Sequence, residues 1–250
     1  MIATDNTNVP FYWNGTGNGS TMTMLSGLTR CKFIKQFQNY CIVANVTVSA
    51  TEYKSRFYWS TIKTIGTWSA LDFVDVSKDD GQDITGLRVL GDRLVIYKNR
   101  SIYIATFTGD ANIPFVIYKT NSSVGCISHW SIQEVENGHV FLSYDGLYYF
   151  DGNNSYKISD KITGTINALS KSALLTSIST VYKSKNRYLL GVTSGSSSTR
   201  DNVIVWDYFN NAFSIYSGIA PCSFATLYVN GVDERVYFGD YAGFTYRIDV

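Results

Sequence analysis

The sequence is short of net charge, proline, histidine and long apolar runs, and each shortage removes a class of function. The formal net charge is +1, whereas a surface built to grip phosphate backbones carries a clear basic excess. Sequence-specific nucleic-acid binding is therefore not expected, and the local basic group Lys183, Lys185 and Arg187 reads as a solvated turn flanking a strand. No stretch approaches the roughly 20 apolar residues that span a bilayer, so no membrane partner is expected. Met1-Ile2-Ala3-Thr4-Asp5 has neither a basic start nor an apolar run, so it is not read as a signal peptide, and the expectation is a soluble protein outside the secretory route. Six Asn-x-Ser/Thr sites, at Asn14, Asn18, Asn45, Asn99, Asn121 and Asn153, are accordingly expected to stay unmodified. Cys31, Cys41, Cys126 and Cys222 include no Cys-x-x-Cys pair, which argues against a metal site. The reading is free buried thiols acting as small hydrophobes, with a Cys31–Cys41 disulfide across a hairpin left open. With three prolines, turns must be made by Gly, Asn, Asp and Ser, which are abundant.

What the chain has is material for strands. Apolar residues make up 45%, charged ones 16%, and the 19 Tyr and 14 Phe bring the aromatic share to 15%. Aromatic rings favour the pleated, half-buried surface of a sheet. Strand pairs recur: Gly91-Asp92-Arg93-Leu94-Val95-Ile96-Tyr97 turns into Ser101-Ile102-Tyr103-Ile104, and Asn137-Gly138-His139-Val140-Phe141-Leu142-Ser143 turns into Leu147-Tyr148-Tyr149-Phe150. Asn186 to Val192 with Asn202 to Trp206, Asp233 to Gly239 with Phe244 to Ile248, and Asn39 to Ala44 with Arg56 to Trp59 repeat the pattern. Taking Cys41, Leu94, Val140, Tyr188 and Val236 as equivalent gives steps of 53, 46, 48 and 48 residues. A preceding apolar stretch (Ile84 to Leu90, Ile127 to Val135, Leu175 to Tyr182) and a trailing one (Phe115 to Tyr118, Tyr156 to Ile158, Phe213 to Tyr216) make four strands per unit.

Four-strand units at this period are what propeller blades require. A lone four-stranded sheet has two apolar faces and two open edges, and stacking blades around an axis buries the faces. The second strand of each unit is nearly continuous in apolar residues, as a strand buried on both faces should be. The expected fold is all-β, a β-propeller of five or six four-stranded antiparallel blades, closed by pairing of N- and C-terminal strands. The domain is 1–250, in units 1–26 (partial), 27–78, 79–121, 122–165, 166–218 and 219–250 (partial), or a fragment of a longer protein. Ile162 to Leu175 is compatible with a short helix or a loop between blades.

Candidate chemistry is sparse. Asp75, Asp79, Asp80 and Asp83 crowd one loop, where a hard cation could bind, but without EF-hand spacing they read as a solvated turn. Paired carboxylates at a channel mouth would suit a glycosidase; Asp72, Asp92, Asp145, Asp207 and Asp240 are candidates, yet most sit in turns that explain them. Ser143 to Phe150 resembles the Asp-box turn of sialidases, which marks a hairpin rather than a catalyst. His129 and His139 leave few possible bases, and His139 reads as a surface or turn residue. Gly15-Thr16-Gly17-Asn18-Gly19 lacks the Lys-Ser/Thr end of a phosphate loop. Tyr12, Trp13, Tyr58, Trp59, Trp68, Trp130 and Trp206 could stack on sugars, but their recurrence at matching positions reads as packing between blades. No catalytic residue and no cofactor is expected.

A series of motifs carries a resemblance. Phe57-Tyr58-Trp59-Ser60 is followed by Gly66-Thr67-Trp68-Ser69-Ala70-Leu71-Asp72-Phe73-Val74-Asp75, Asp80-Gly81-Gln82-Asp83-Ile84-Thr85-Gly86-Leu87 and Gly91 to Lys98. Ser101-Ile102-Tyr103, Ser123-Val124-Gly125-Cys126-Ile127-Ser128 and Ser143 to Gly152 continue it. In this order, from about Pro10 to Ile248, the chain resembles the propeller region of tailed-phage tail or head–tail connector proteins, similar to the tail nozzle and DNA-stabilisation proteins of short-tailed phages. The resemblance implies a non-enzymatic structural module of a virion, assembled with other virion proteins and with copies of itself near the DNA channel. A glycan-binding or glycoside-cleaving propeller is the alternative.

Overall fold

The computed structural model describes residues 2–13, 15, 22–25 and 27–249. The Asn14 and Asn18 acceptor sites, and most of the glycine-rich turn that holds them, lie outside the described residues. Among these residues the chain forms six antiparallel sheets, each a meander in which consecutive strands are neighbours. The first holds β1 (Ile2–Ala3), β2 (Phe11–Tyr12) and β3 (Thr23–Met24), and the second β4 (Arg30–Phe37), β5 (Tyr40–Val48), β6 (Thr51–Trp59) and β7 (Phe73–Asp75). The third holds β8 (Ile84–Leu90), β9 (Arg93–Lys98), β10 (Ile102–Phe107) and β11 (Phe115–Lys119). The fourth holds β12 (Gln133–Val135), β13 (Gly138–Ser143), β14 (Gly146–Phe150) and β15 (Ser155–Lys157). The fifth holds β16 (Ile178–Tyr182), β17 (Arg187–Val192), β18 (Asn202–Asp207) and β19 (Ala212–Ser217), and the last β20 (Pro221–Val229), β21 (Asp233–Asp240) and β22 (Thr245–Arg247). Helical segments are short; the stretch 162–175 becomes α1 (Thr163–Asn167) between 3-10 turns at Asp160–Ile162 and Lys171–Thr176.

The chain divides into two compact units, Met1–Gly125 and Cys126–Val250. In the first, Ile42, Ala44, Phe57 and Trp59 pack with Leu87, Leu94, Ile96 and Phe115 to join the second and third sheets. The opposite face of the second sheet, with Cys31, Cys41, Val43 and Tyr58, packs on Ile2. In the second unit, Val140, Leu142 and Leu147 pack with Tyr188, Leu190, Ile204 and Trp206. Leu189, Val203 and Val205, on the other face of the same sheet, pack with Val236 and Phe238. Strands β5, β9, β13 and β17 are thus buried along nearly their whole length, while β21 alternates.

Within each unit the first strands of successive sheets lie side by side: β4 by β8, β12 by β16, and β16 by β20. Polar bonds recur there at about one repeat of separation. Ser128 Oγ donates to Ser177 O at 2.7 Å, Gln133 Nε2 to Ser179 O at 2.9 Å and Ser179 Oγ to Trp130 O at 2.8 Å, while Thr180 and Thr226 share a 3.1 Å hydroxyl contact. Each such bond satisfies a polar group that packing would otherwise strand away from water.

Among the described residues β1–β3 form a three-stranded sheet, and so do β20–β22. One detail differs from the sequence reading: the equivalence of Val140 is out of phase. Leu94 packs against the preceding sheet and Tyr188 likewise, but Val140 packs against the following one. Because side chains alternate with a period of two, a one-residue offset exchanges the faces.

Candidate functional site

The acidic loop is the first place to look for chemistry. Its backbone turns sharply, with Ser77 at φ 43° and Gly81 at φ 67°, both left-handed. Lys98, at the end of β9, is fully buried and reaches into this turn. Its ammonium donates to both oxygens of Asp80 at 2.7 Å, to Val76 O at 2.8 Å and to Ser77 O at 3.2 Å. Tyr103 closes the arrangement, its hydroxyl 2.9 Å from Ser77 Oγ. Asp80 is therefore the counter-ion of a buried lysine. Asp75 accepts two bonds from Arg56, at 2.7 and 2.8 Å, and the guanidinium lies between the rings of Tyr53 and Phe73, 3.6 and 3.5 Å from their centroids. The planar fork of arginine suits both the bidentate bond and the stacking. Asp83 lies 3.7 Å from Lys54, and Asp79 is exposed.

Asp75 and Asp83 line a groove of about 690 Å³ together with Glu52, Lys54, Arg56 and Lys78. Three acids face three bases there, so the groove is electrically balanced and suited to a polar surface rather than to a bare ion. Among the described residues no group of three or more His, Cys, Asp or Glu is arranged to hold a metal. The four acids, adjacent in sequence, are thus not brought together around one point.

The other candidate carboxylates are spread over turns of different sheets. Asp207 accepts from the Asn210 amide and side chain at 2.9 Å, and Asp240 from the amides of Ala242 and Phe244 at 2.9 and 2.8 Å. Asp92 is an exposed partner of Arg93. Asp72 sits near Tyr40 and Tyr58, both held above the ordinary phenol range by burial and then by its charge. Asp145, in the β13–β14 turn, accepts from Tyr148 at 2.8 Å and Lys157 at 3.0 Å. Burial pushes its carboxyl up, but the bonds from Lys157 and Tyr148 outweigh that and leave it below the ordinary range.

His139 is not a surface residue: it is fully buried in β13, because that strand is covered on both faces. His129 lies edge-on to Trp130, with ring centroids 5.0 Å apart. Tyr58, Trp59 and Trp206 are buried, as packing requires, but Trp130 is 67% exposed and Trp13 is exposed too, so both depart from the packing expectation. Lys183–Lys185 form a 3-10 turn; Lys185 and Arg187 both reach Asp249, so the basic group is partly neutralised. Cys31 pairs across the sheet with Val46 and Cys41 with Gln36, and none of the four cysteines forms a disulfide among the described residues. Cys222 is only half-buried, unlike the other three.

Sequence reasoning missed Lys98 and Arg200. Lys98 ends an apolar run, Leu94 to Tyr97, and a lysine there with an acid-rich loop upstream was the available signal. Arg200, in the loop before β18, donates to three backbone carbonyls, Thr176 O at 2.6 Å, Pro221 O at 2.6 Å and Cys222 O at 2.9 Å. No local motif announces such a role.

No protein-family model matches the chain, and no curated protein matches it. Among solved structures it is similar to the extracellular domain of a hybrid two-component system from B. thetaiotaomicron, with a TM-score of 0.57 and 11% identity over 99% of this chain. The extracellular domain of a one-component system from the same organism gives a TM-score of 0.57, also at 11% identity. A computationally designed protein, Ika8, gives a TM-score of 0.53 at 12% identity over 98% of this chain. The chain spans 31% and 32% of the two bacterial chains and 66% of the designed one. At these identities the likeness concerns the fold alone.

Proposed function

We propose that the six sheets stand around a common axis as the blades of a β-propeller, and that the chain is a non-enzymatic interaction module of a phage virion, in the tail or head–tail connector. The observation that carries the non-catalytic reading is the commitment of the carboxylates. Asp75 and Asp80 neutralise Arg56 and Lys98, and Asp207 and Asp240 hold turn amides. A general acid or base needs a proton-accepting atom free to meet substrate. The axial arrangement is supported by first strands lying side by side within each unit and, in the C-terminal unit, bonded at one-repeat intervals. The virion setting rests on the ordered motif series from Pro10 to Ile248. Partners are then other virion proteins and further copies of the chain. Electron microscopy and co-purification of the protein with candidate tail and connector proteins test this; a strictly monomeric particle with no affinity for any of them overturns it.

One observation favours the second reading, a glycan-binding propeller: the exposed Trp130 ring, with His129 against it, offers a flat stacking surface. A glycan array on the wild type and on Trp130→Ala decides this. Equal, empty arrays remove the reading.

A further inference from the structure

The first strands of the N-terminal unit carry several cations and no acid. Strand β4 holds Arg30, Lys32 and Lys35, and β8 holds Arg88, with no acid in either strand. Arg30 is engaged by Glu52 at 3.4 Å. Lys35 lies between Phe33 and Phe37 on the same face of β4, and both rings pack into the aromatic core. The period-two geometry of the strand therefore draws its ammonium into a half-buried position. Burial, and then the charge of Arg88, hold Lys35 below the ordinary lysine range. Among the described residues the Lys35 side chain makes no hydrogen bond or ion pair, while its backbone pairs with Ile42. It borders a cleft of about 540 Å³ between the β4–β5 and β8–β9 turns, lined also by Gln36, Gln38, Asn39 and Gly91. A second cleft of about 170 Å³ shares Gln36 and Asn39 and contains Lys63. Asp92 follows Gly91, but it projects into solvent and approaches Arg93.

A partly desolvated cation beside a like charge is costly until an anion joins it. We propose that the cleft at the β4–β5 turn is an oxyanion site, with Lys35 as its principal ligand and phosphate as the chemical class it takes. The side-chain amides of Gln36, Gln38 and Asn39 supply donors for the remaining oxygens. The cleft is larger than one phosphate, so it has room for a phosphate carried on a larger molecule, either a free ester or a nucleic-acid backbone. The inference does not rest on the virion reading; either can fail alone.

Calorimetric titration of the full chain with inorganic phosphate at low salt is the test. Binding is expected, weakened about tenfold or more in Lys35→Gln, kept in Lys35→Arg, and unchanged in Lys119→Gln, which alters an exposed residue at the end of β11. A short single-stranded DNA serves as the second probe. Tighter binding than phosphate, steeply weakened by salt and lost in Lys35→Gln, identifies a backbone as the source; binding of phosphate without DNA identifies a free ester. Acylation of the wild-type amines read by mass spectrometry gives a measurement that needs no variant, with phosphate expected to protect Lys35. No phosphate binding by the wild type, unaltered binding by a folded Lys35→Gln, or no protection of Lys35 overturns the proposal.

Discussion

The two units use the same strand pattern and join their sheets by different chemistry. In the N-terminal unit the joint is aromatic and ionic. Phe115 sits among Phe37, Tyr40, Phe57, Trp59 and Phe107, with centroid distances of 5.2 to 6.1 Å, and the ion pair of buried Lys98 with the partly exposed Asp80 ties the connecting loop to the third sheet. In the C-terminal unit the joint is aliphatic and hydrogen-bonded. Val, Leu and Ile dominate between the fourth and fifth sheets, and Ser, Gln and Arg side chains bridge neighbouring sheets to backbone oxygens. First strands follow the same division: cations in β4 and β8, and no cation in β12, β16 or β20. One backbone repeat thus admits two solutions to the problem of covering sheet faces without stranding polar groups, and they should fail differently when perturbed.

The largest effect is expected at the ionic joint. Asp80→Ala leaves the Lys98 ammonium buried without its counter-ion and should cost about 3–5 kcal/mol, seen by chemical denaturation as loss of the N-terminal unit's transition. Asp80→Ala with Lys98→Met should recover much of that, since an apolar side chain of similar length needs no partner; no recovery would mean that the pair is not the joint. A smaller loss is expected for Gly138→Ala in the C-terminal unit. Its Cβ would fall 2.4 Å from Phe150 O, and because the neighbour is backbone, relief requires β13 to shift, at a cost of about 1–3 kcal/mol. Arg200→Gln removes the charged donor from three carbonyls at a half-exposed site and should cost about 1–2 kcal/mol, with its effect on the C-terminal unit's transition alone. A shift of both transitions by any one of these variants would break the distinction between the units.

How much of this was legible in the sequence follows from which signals are periodic. Turn residues and apolar runs placed β8, β9, β10, β13 and β17 closely, because Gly-Asp and Asn-Gly turns bracket them. The phase of β13 was not legible. Gly138 to Ser143 is buried throughout, so no alternation says which residues face which neighbour, and Val140 was matched to the wrong face. The same continuous burial hid His139, whose polar ring suggested a surface. The acidic loop showed its composition but not its fate: Asp80 and Asp75 depend on Lys98 and Arg56, which lie 18 and 19 residues away, and only the folded register of β6, β7 and β9 brings them together. Nothing in the sequence marks Lys35, since its partial burial comes from Phe33 and Phe37 packing across to another sheet.

The smallest perturbation is chemical, and it compares the units through their thiols. Burial pushes Cys31 up to about 12, and Cys41 to about 12 with Cys31 nearby adding to the effect. Cys126, at the start of the C-terminal unit, is likewise pushed up to about 12 by burial. Cys222, in β20, is only half-buried. Since the thiolate is the reactive form, a disulfide reagent near neutral pH should modify Cys222 alone in the native protein and all four after denaturation. The pH dependence has a definite sign. Unfolded thiols ionise near 9.0 while the three buried ones keep their protons toward 12, so the unfolded state gains as pH rises through that window, and stability should fall from about pH 9 upward. Equal reaction of all four thiols in the native state would show that both units open together, and the contrast between an aromatic, ion-paired joint and an aliphatic, hydrogen-bonded one would lose its meaning for stability.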